Sequence, residues 1–317
     1  MSENRQPGNQ MTLACPAKLN LTLRILSRRA DGFHELESLM VPVGLFDTLS
    51  FRRTSDCRIS LSCRWAAGFG KLAGSGGKAG FRDATSGQEL DDSLPPATQN
   101  LAYRAVERLW RESGQHHGAV VTLIKRIPAA AGLGGASSDA AHALVAANRV
   151  WELGMSPHHL ASIAAELGSD VPMFLTRTPV IARGRGEQLE PTRLPQLHLV
   201  LVKPAAGLST PDVYRELRLH ECAPQGPTAS DVAGHLVAGD IRRAEAGMVN
   251  DLERPARRLS LAVGETFATL ASLGLRPAMS GSGDCCFAFC RSARAARRAA
   301  ARLRSRGELR AYPVATL

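Results

Sequence analysis

Pro128-Ala-Ala-Ala-Gly-Leu-Gly-Gly-Ala-Ser-Ser-Asp-Ala-Ala141 joins the end of an apolar, strand-like run to the start of an alanine-rich, helix-like one. Gly132, Gly134 and Gly135 free the backbone for conformations that a Cβ forbids. Ser137 and Ser138 follow where the helical pattern begins. A glycine loop running into a helix N-terminus directs unpaired N–H groups and the positive end of a helix dipole at one point, which suits a phosphate. The stretch is not a Walker A loop, because Gly-x4-Gly-Lys-Ser/Thr is absent. It is also a poor dinucleotide fingerprint, because Ser137 stands where the third glycine belongs.

Working outward, Val120–Ile127 reads as a strand of nearly continuous apolar character. The helix after the loop runs from Ala136 to about Trp151, with Ala140, Leu144, Ala147 and Trp151 along one side. A second helix, Pro157–Leu167, ends at Gly168, and Ser169-Asp-Val-Pro172 follows as a turn. Upstream, Asn100 caps a helix to about Ser113 whose apolar face is Ala102, Ala105, Val106, Leu109 and Trp110, and Gly114 stops it. Further upstream, Thr12–Ile25 alternates as a strand that puts Lys18 and Asn20 on its polar face. Asp31-Gly32 then marks a hairpin turn, and Leu36–Phe51 returns as one or two strands. Cys63–Pro96 is rich in Gly, Ser, Lys and Asp and reads as a surface insertion.

Downstream, a crossover near Leu194–Pro204 leads into a half where strands and helices alternate. The pattern predicts strands at His198–Val202 and Leu309–Val314. It predicts helices at Asp231–Val249, Leu259–Leu273 and Arg294–Arg306, and a glycine turn into a buried strand over Met279–Cys290. A ferredoxin-like α/β layer has this alternation.

A chain of 317 residues suits two domains or one large one, and 44% hydrophobic with 21% charged residues fits a soluble enzyme-sized protein. There is no apolar run of membrane-spanning length, and Met1–Gln10 lacks the apolar core of a secretory signal, so a cytoplasmic protein with no membrane partner is expected. The seven cysteines have no metal-ligand spacing and read as buried free thiols. The formal charge is +10, but Arg291–Arg310 alone holds eight arginines and one glutamate, which reads as the solvated face of one helix. No nucleic-acid partner is expected, since an anionic substrate accounts for basic surface equally well.

Phosphoryl transfer to an alcohol needs a nucleotide cradle, neutralisation of developing charge and help in deprotonating the hydroxyl. Lys18 is the candidate for the second task and Asp170 for the third; their bland readings are surface decoration and a turn residue. Met279-Ser-Gly-Ser-Gly283 is either a second anion-holding loop or a tight hairpin. His34, beside Phe33, offers stacking and a directional hydrogen bond to a base.

Six ordered motifs carry a resemblance: Ala14-Cys-Pro-Ala-Lys-Leu-Asn-Leu-Thr-Leu23, Arg29-Ala-Asp-Gly-Phe-His-Glu-Leu36, the glycine loop, Gly168-Ser-Asp-Val-Pro172, Asn250-Asp-Leu-Glu253 and Met279-Ser-Gly-Ser-Gly283. Together they resemble the GHMP kinase superfamily, in the branch acting on a cytidine diphosphate-linked methylerythritol. The resemblance implies an α+β, two-domain GHMP kinase fold. Residues 1–190 would form an N-terminal, ribosomal-protein-S5-like ATP-binding domain, with 63–96 as a surface insertion. Residues 191–317 would form a C-terminal, ferredoxin-like domain. It also implies ATP-dependent phosphorylation, with Mg2+, of that substrate's 2-hydroxyl to the 2-phosphate, in non-mevalonate isoprenoid precursor synthesis, by a monomer or homodimer.

By the same resemblance Asp170 falls at the catalytic base and Lys18 beside the reacting hydroxyl. Asn20 would hold the polyol and phosphate end. Phe33 and His34 fall in the cytidine pocket and Tyr214, in the segment that includes Thr210, is the second aromatic. Asn100, Leu101 and Lys125 match the adenine side. Pro128, Ala129, Ala130, Ala131, Gly132, Leu133, Gly134, Gly135, Ala136, Ser137 and Ser138 form the phosphate loop, flanked by Gly281, Ser282 and Gly283 on the substrate side. The metal ligands are unassigned; Asp139 either positions the cation or caps its helix, and the cap is favoured. Phe33 stands where tyrosine is commoner, Ala136 replaces a loop glycine, and Asp284 stands where a small residue is usual and would repel ATP if it pointed inward. Another GHMP small-molecule kinase, and a non-catalytic metabolite-binding protein of this fold, are the alternatives.

Overall fold

The computed structural model describes residues 8–69, 94–204, 207–222, 226–306 and 309–317. The strands are β1 Gln10–Asn20, β2 Arg24–Arg28, β3 His34–Thr54, β4 Ile59–Trp65, β5 Gly118–Lys125 and β6 Val180–Gly184, then β7 Gln188–Pro191, β8 His198–Pro204, β9 Ala278–Met279, β10 Cys286–Cys290 and β11 Leu309–Ala315. The helices are α1 Leu101–Ser113, α2 Gly135–Val150, α3 Pro157–Leu167, α4 Met173–Thr176 and α5 Thr210–Glu216, then α6 Ala229–Val237, α7 Ile241–Gly247, α8 Glu253–Leu259, α9 Leu261–Ser272 and α10 Ala293–Arg304. The content is α+β, and the chain forms two compact units.

The first unit comprises Met1–Cys15, Phe46–Ile127 and Gly135–Leu175. Here β5 pairs antiparallel with the end of β3, Thr48↔Ile124 through Thr54↔Gly118, and parallel with β4, Ile59↔Ala119 through Trp65↔Lys125. Leu49, Phe51, Leu109, Val121, Leu123, Leu144 and Ile163 form one apolar core. Phe51 meets Trp151 edge-on at 5.2 Å. The Asn100 side chain accepts from the Ala102 N–H at 2.9 Å, and Gly114, at φ 62°, closes α1, so both local signals act as the sequence implies. Alanines line the buried side of α2, and such short side chains let a helix lie close to its neighbours.

The second unit comprises Pro16–Leu45, Pro128–Gly134 and Thr176–Leu317. The start of β3 pairs antiparallel with β2 and with β6, and β6 pairs with β7. A second sheet has the order β11-β8-β10-β9, antiparallel throughout. Val200, Val202, Leu270, Cys286, Ala288, Ala300 and Leu303 make its core.

Several elements depart from the sequence reading. The first strand ends at Asn20 instead of Ile25. Lys18 and Asn20 do not face water: they are 4% and 3% exposed. Leu36–Phe51 is one strand within β3. The helix predicted over 231–249 is two, α6 and α7, because Gly239, at φ 75°, turns the chain between them. The helix predicted over 259–273 begins at Leu261, with α8 before it. Cys63–Trp65 closes β4 instead of opening a loop. Residues 70–93, which make up most of the expected surface insertion, lie outside the described residues. All seven cysteines are free, but burial holds only for Cys15, Cys222, Cys285 and Cys286; Cys57 is exposed.

Candidate functional site

In the second unit the two glycine segments meet backbone to backbone. A Cβ on Gly132 would come within 2.0 Å of the Ser280 carbonyl oxygen, and one on Gly283 within 2.1 Å of Ala131 C and Gly132 N. Only glycine permits this approach. The Ser280 hydroxyl bridges the two segments, donating to Gly132 O at 3.0 Å and accepting from the Asn20 N–H at 3.2 Å. The Lys18 N–H donates to Leu133 O at 2.9 Å. The Asn250 amide donates to Met279 O and Gly281 O, both at 2.8 Å. The loop, β1 and the second glycine turn are therefore one hydrogen-bonded body. Ala130, Gly132 and Gly134 take φ of 52°, 72° and 67°. Left-handed residues of this kind build concave backbone nests for anions, and holding alanine there costs about 1 kcal/mol or more. A phosphate chain fits such a cradle.

Lys18 and Asn20, two residues apart on β1, point to the same side. Lys18 Nζ donates to Asn20 Oδ1 at 2.6 Å, the Asn20 amide donates to Ser38 Oγ at 2.8 Å, and Ser38 donates to Thr22 O at 2.6 Å. The chain orients a buried ammonium group and fixes which end of the Asn20 amide faces it. A Cβ on Gly281 would lie 3.1 Å from Asn20 Oδ1, so the second glycine turn leaves room for this network.

The turn of Arg29–Phe33 is the predicted hairpin, with Gly32 at φ 85° and Arg28↔His34 pairing across it. His34 stacks on Tyr214, centroids 5.3 Å apart and planes 28° from parallel. A nucleobase does not fit between rings that close, so His34 and Tyr214 present one joint face. Burial, then the charge of Arg28, lowers the His34 pKa and favours the neutral imidazole. Phe33 is half exposed, with the Arg185 guanidinium 5.0 Å over its ring. Thr210 opens α5 and shares a 2.8 Å hydrogen bond with Ser282, which joins the Tyr214 segment to the glycine turn.

In the first unit Lys125 lies between two buried carboxylates, Asp47 and Asp139, and donates to both. Burial pulls its ammonium down, and the two carboxylates more than reverse this. Burial raises the Asp139 carboxyl; Lys125 opposes the shift and Asp47 adds to it. Asp139 therefore does not cap α2: the carboxylate turns inward to a lysine. Asp47 also accepts from the Arg126 and Ile127 N–H groups, which lead out of β5 toward the glycine loop. A Cβ on Gly135 would meet Ile127 Cγ2 at 3.0 Å. Ala136, Ser137 and Ser138 form the first turn of α2, and Ser138 Oγ is buried without a hydrogen-bond partner among the described residues. Leu101 packs beside the apolar core behind the Asn100 cap. Asp170 sits in the turn closed by the 3.1 Å bond from the Val171 N–H to Gly168 O.

Asp284 is held inside the protein by a lysine. It is fully buried and accepts from Lys203 at 2.8 Å. Sequence reasoning did not single out Asp47, Ser38 or Lys203, because their partners are far away in the chain, and Ser280 lay within the quoted second glycine turn without a role of its own. Asn250 lay within a quoted motif without a role.

The chain matches the family model of the GHMP kinases N terminal domain over residues 100–177 and that of the GHMP kinases C terminal over residues 233–309. It is 39% identical over 302 residues to the 4-diphosphocytidyl-2-C-methyl-D-erythritol kinase of Pelotomaculum thermopropionicum, covering 94% of this chain and 95% of the relative. The enzyme of that name from Moorella thermoacetica is 37% identical, covering 92% and 94%. A crystal structure of 4-(cytidine 5'-diphospho)-2C-methyl-D-erythritol kinase superimposes with a TM-score of 0.77 at 35% identity, covering 96% of this chain and 99% of that one. A homoserine kinase from Cytophaga hutchinsonii shares the fold, at TM-score 0.69 and 16% identity. This chain belongs to the GHMP kinases and, within them, to the family of 4-diphosphocytidyl-2-C-methyl-D-erythritol kinases.

Proposed function

We propose that this protein is an ATP-dependent kinase that phosphorylates the 2-hydroxyl of 4-diphosphocytidyl-2-C-methyl-D-erythritol to the 2-phosphate, in the cytoplasm. Residues 1–190 serve as the ATP-binding domain and 191–317 as the C-terminal domain, in keeping with the two matched family segments. The observation that carries the reading is the buried Lys18–Asn20–Ser38 chain, tied to the glycine loop by the Lys18 N–H and by Ser280. A buried ammonium beside a phosphate cradle is the arrangement that transfer of a charged group to an alcohol needs.

Asp170 takes the proton from the 2-hydroxyl. Lys18 stabilises the alkoxide as it forms and keeps the hydroxyl oriented, and Asn20 holds the polyol and the diphosphate end. Phe33, His34 and Tyr214 receive the cytosine ring, with neutral His34 able to donate or accept one hydrogen bond. Thr210, Gly281, Ser282 and Gly283 border the substrate. Asn100 and Leu101 form the adenine side, and Lys125, held by two carboxylates, supports that wall from beneath. ATP, held by Pro128–Ser138, supplies the phosphoryl group. The buried Ser138 hydroxyl, without a partner among the described residues, would be an oxygen ligand for Mg2+, which when bound would neutralise charge on the phosphates.

The test compares turnover on the cytidyl substrate with turnover on homoserine and on mevalonate. The expected result is activity on the first alone. Equal or greater turnover on either of the others sinks the substrate assignment, and nucleotide binding without any turnover points to a metabolite-binding protein of this fold.

A further inference from the structure

A cavity of about 910 Å³ opens within the second unit. Five arginines from four separate segments line it: Arg242 of α7, Arg276 after α9, Arg291 after β10, and Arg298 and Arg302 of α10. The one carboxylate in the lining is Glu245, which interacts with Arg276. Among the described residues Arg242, Arg291, Arg298 and Arg302 form no ion pair, whereas Arg243, next to Arg242 in sequence, pairs with Asp240. The arginines of α10 are exposed, as the sequence implies, and two of them, Arg298 and Arg302, also line this concavity. Ala295, Arg298, Ala299 and Arg302 follow one another at i, i+3, i+4 and i+7, a single stripe along one wall, while Ala296, Ala300 and Leu303 go to the core.

Guanidinium groups gathered around one concavity repel each other unless an anion lies between them, and their planar donor pairs match phosphate oxygens. Leu197, Leu275 and Phe289 add apolar surface to the same cavity. The volume lies in the range of small-molecule sites. Walls contributed by five segments suit a compact ligand better than a long flat polymer.

The cavity is separate from the glycine segments. It touches His198 at the start of β8 and Phe289–Arg291 at the end of β10. The Lys203–Asp284 pair and the glycine turn lie at the opposite end of those two antiparallel strands, about 15–20 Å away at the rise of an extended chain.

We infer that this arginine-lined cavity is a second ligand site, which binds a small organic anion bearing a diphosphate or comparable cluster of charge on an apolar body. Binding there is independent of the kinase reading, since it is read without turnover. Occupancy stabilises the fold by linkage.

The experiment titrates inorganic diphosphate and hexyl diphosphate into the full chain by calorimetry at low salt, with a non-hydrolysable ATP analogue and cytidine diphosphate present to fill other phosphate sites. The expected result is one further binding event, tighter for hexyl than for inorganic diphosphate. It should weaken about tenfold or more in Arg298→Ser/Arg302→Ser, the loss of at least one charge-assisted hydrogen bond. Arg242→Ser, on a different element, should weaken it independently, and KM for ATP should not move in either variant. Equal affinity in wild type and both variants overturns the site. No diphosphate binding alongside salt-sensitive retention of single-stranded RNA overturns it in favour of a nucleic-acid surface. Equal affinity for the two diphosphates overturns the apolar part of the assignment.

Discussion

Lys203 and Asp284 form an ion pair in the interior of the second unit, Nζ to Oδ2 at 2.8 Å, with the side chains 11% and 0% exposed. The acidic residue after the second glycine turn is thereby paired through Oδ2 inside the protein, while its Oδ1 is buried without a partner among the described residues.

Breaking that pair from one side should be costly. Lys203→Met leaves a buried carboxylate uncompensated and is expected to destabilise the protein by about 3–5 kcal/mol. Adding Asp284→Asn should recover part of the loss. Urea denaturation of the two variants checks this; equal midpoints would show that the pair is not coupled.

The pair also sets a pH dependence. Burial pushes the Asp284 carboxyl up to about 6, against the opposing pull of Lys203. The native state therefore holds this proton more tightly than the unfolded chain does. The resulting stabilisation is fully present below the unfolded pKa of 3.8 and is lost as pH rises through about 6. Wild type should fall behind Asp284→Asn by about 2 kcal/mol between pH 4 and pH 6, then run parallel to it. Urea midpoints across pH 4–7 give the difference; a constant gap would mean that the carboxyl is unshifted.

Asp47 and Asp139 share Lys125 but are not equivalent. Asp47 also accepts from two backbone N–H groups, whereas burial already favours the neutral form of Asp139. Asp47→Ala should cost about 3–5 kcal/mol and Asp139→Asn about 1 kcal/mol. Thermal melts that ranked the two in reverse order would refute the assignment of Asp47 as the anchor of the β5 exit.

Gly283→Ala puts a methyl group against backbone atoms of Ala131 and Gly132. A cost of about 3 kcal/mol or more is expected, because backbone has nowhere to yield. Gly239→Ala, at φ 75° with nothing within 4 Å of its Cβ, is the control for conformational strain alone and should cost about 1 kcal/mol. Equal losses would indicate that the two glycine segments do not need their close approach.

On the proposed kinase reading, Tyr214→Ala should raise KM for the cytidyl substrate about tenfold and leave KM for ATP unchanged, the loss of one stacking face. Asp170→Asn should lower kcat about 100-fold or more with KM little altered. Steady-state kinetics on both variants separates the two effects. An unchanged rate in Asp170→Asn removes it as the base.

What sequence alone determined here is local. The Asn100 cap, the Gly114 stop, the Asp31-Gly32 turn and the glycine loop depend on neighbours a few residues away, and each forms as its own chemistry requires. The equal parity of Lys18 and Asn20 was legible for the same reason, and it places them on one side of β1. Their burial was not, because Ser280, which bonds the Asn20 backbone, is 260 residues away. Asp139 looked like a cap because its partner Lys125 belongs to a different element, and Asp47 carried no local signal at all. The arginines after residue 290 read as a solvated helix face and are exposed in the fold, but the concavity that Arg298 and Arg302 share with α7, α9 and β10 was not legible. Periodicity and turn chemistry are written between adjacent residues. The pairing of buried charges and the shape of a cavity depend on which distant segments the packed core brings into contact, and that was decided only in the folded chain.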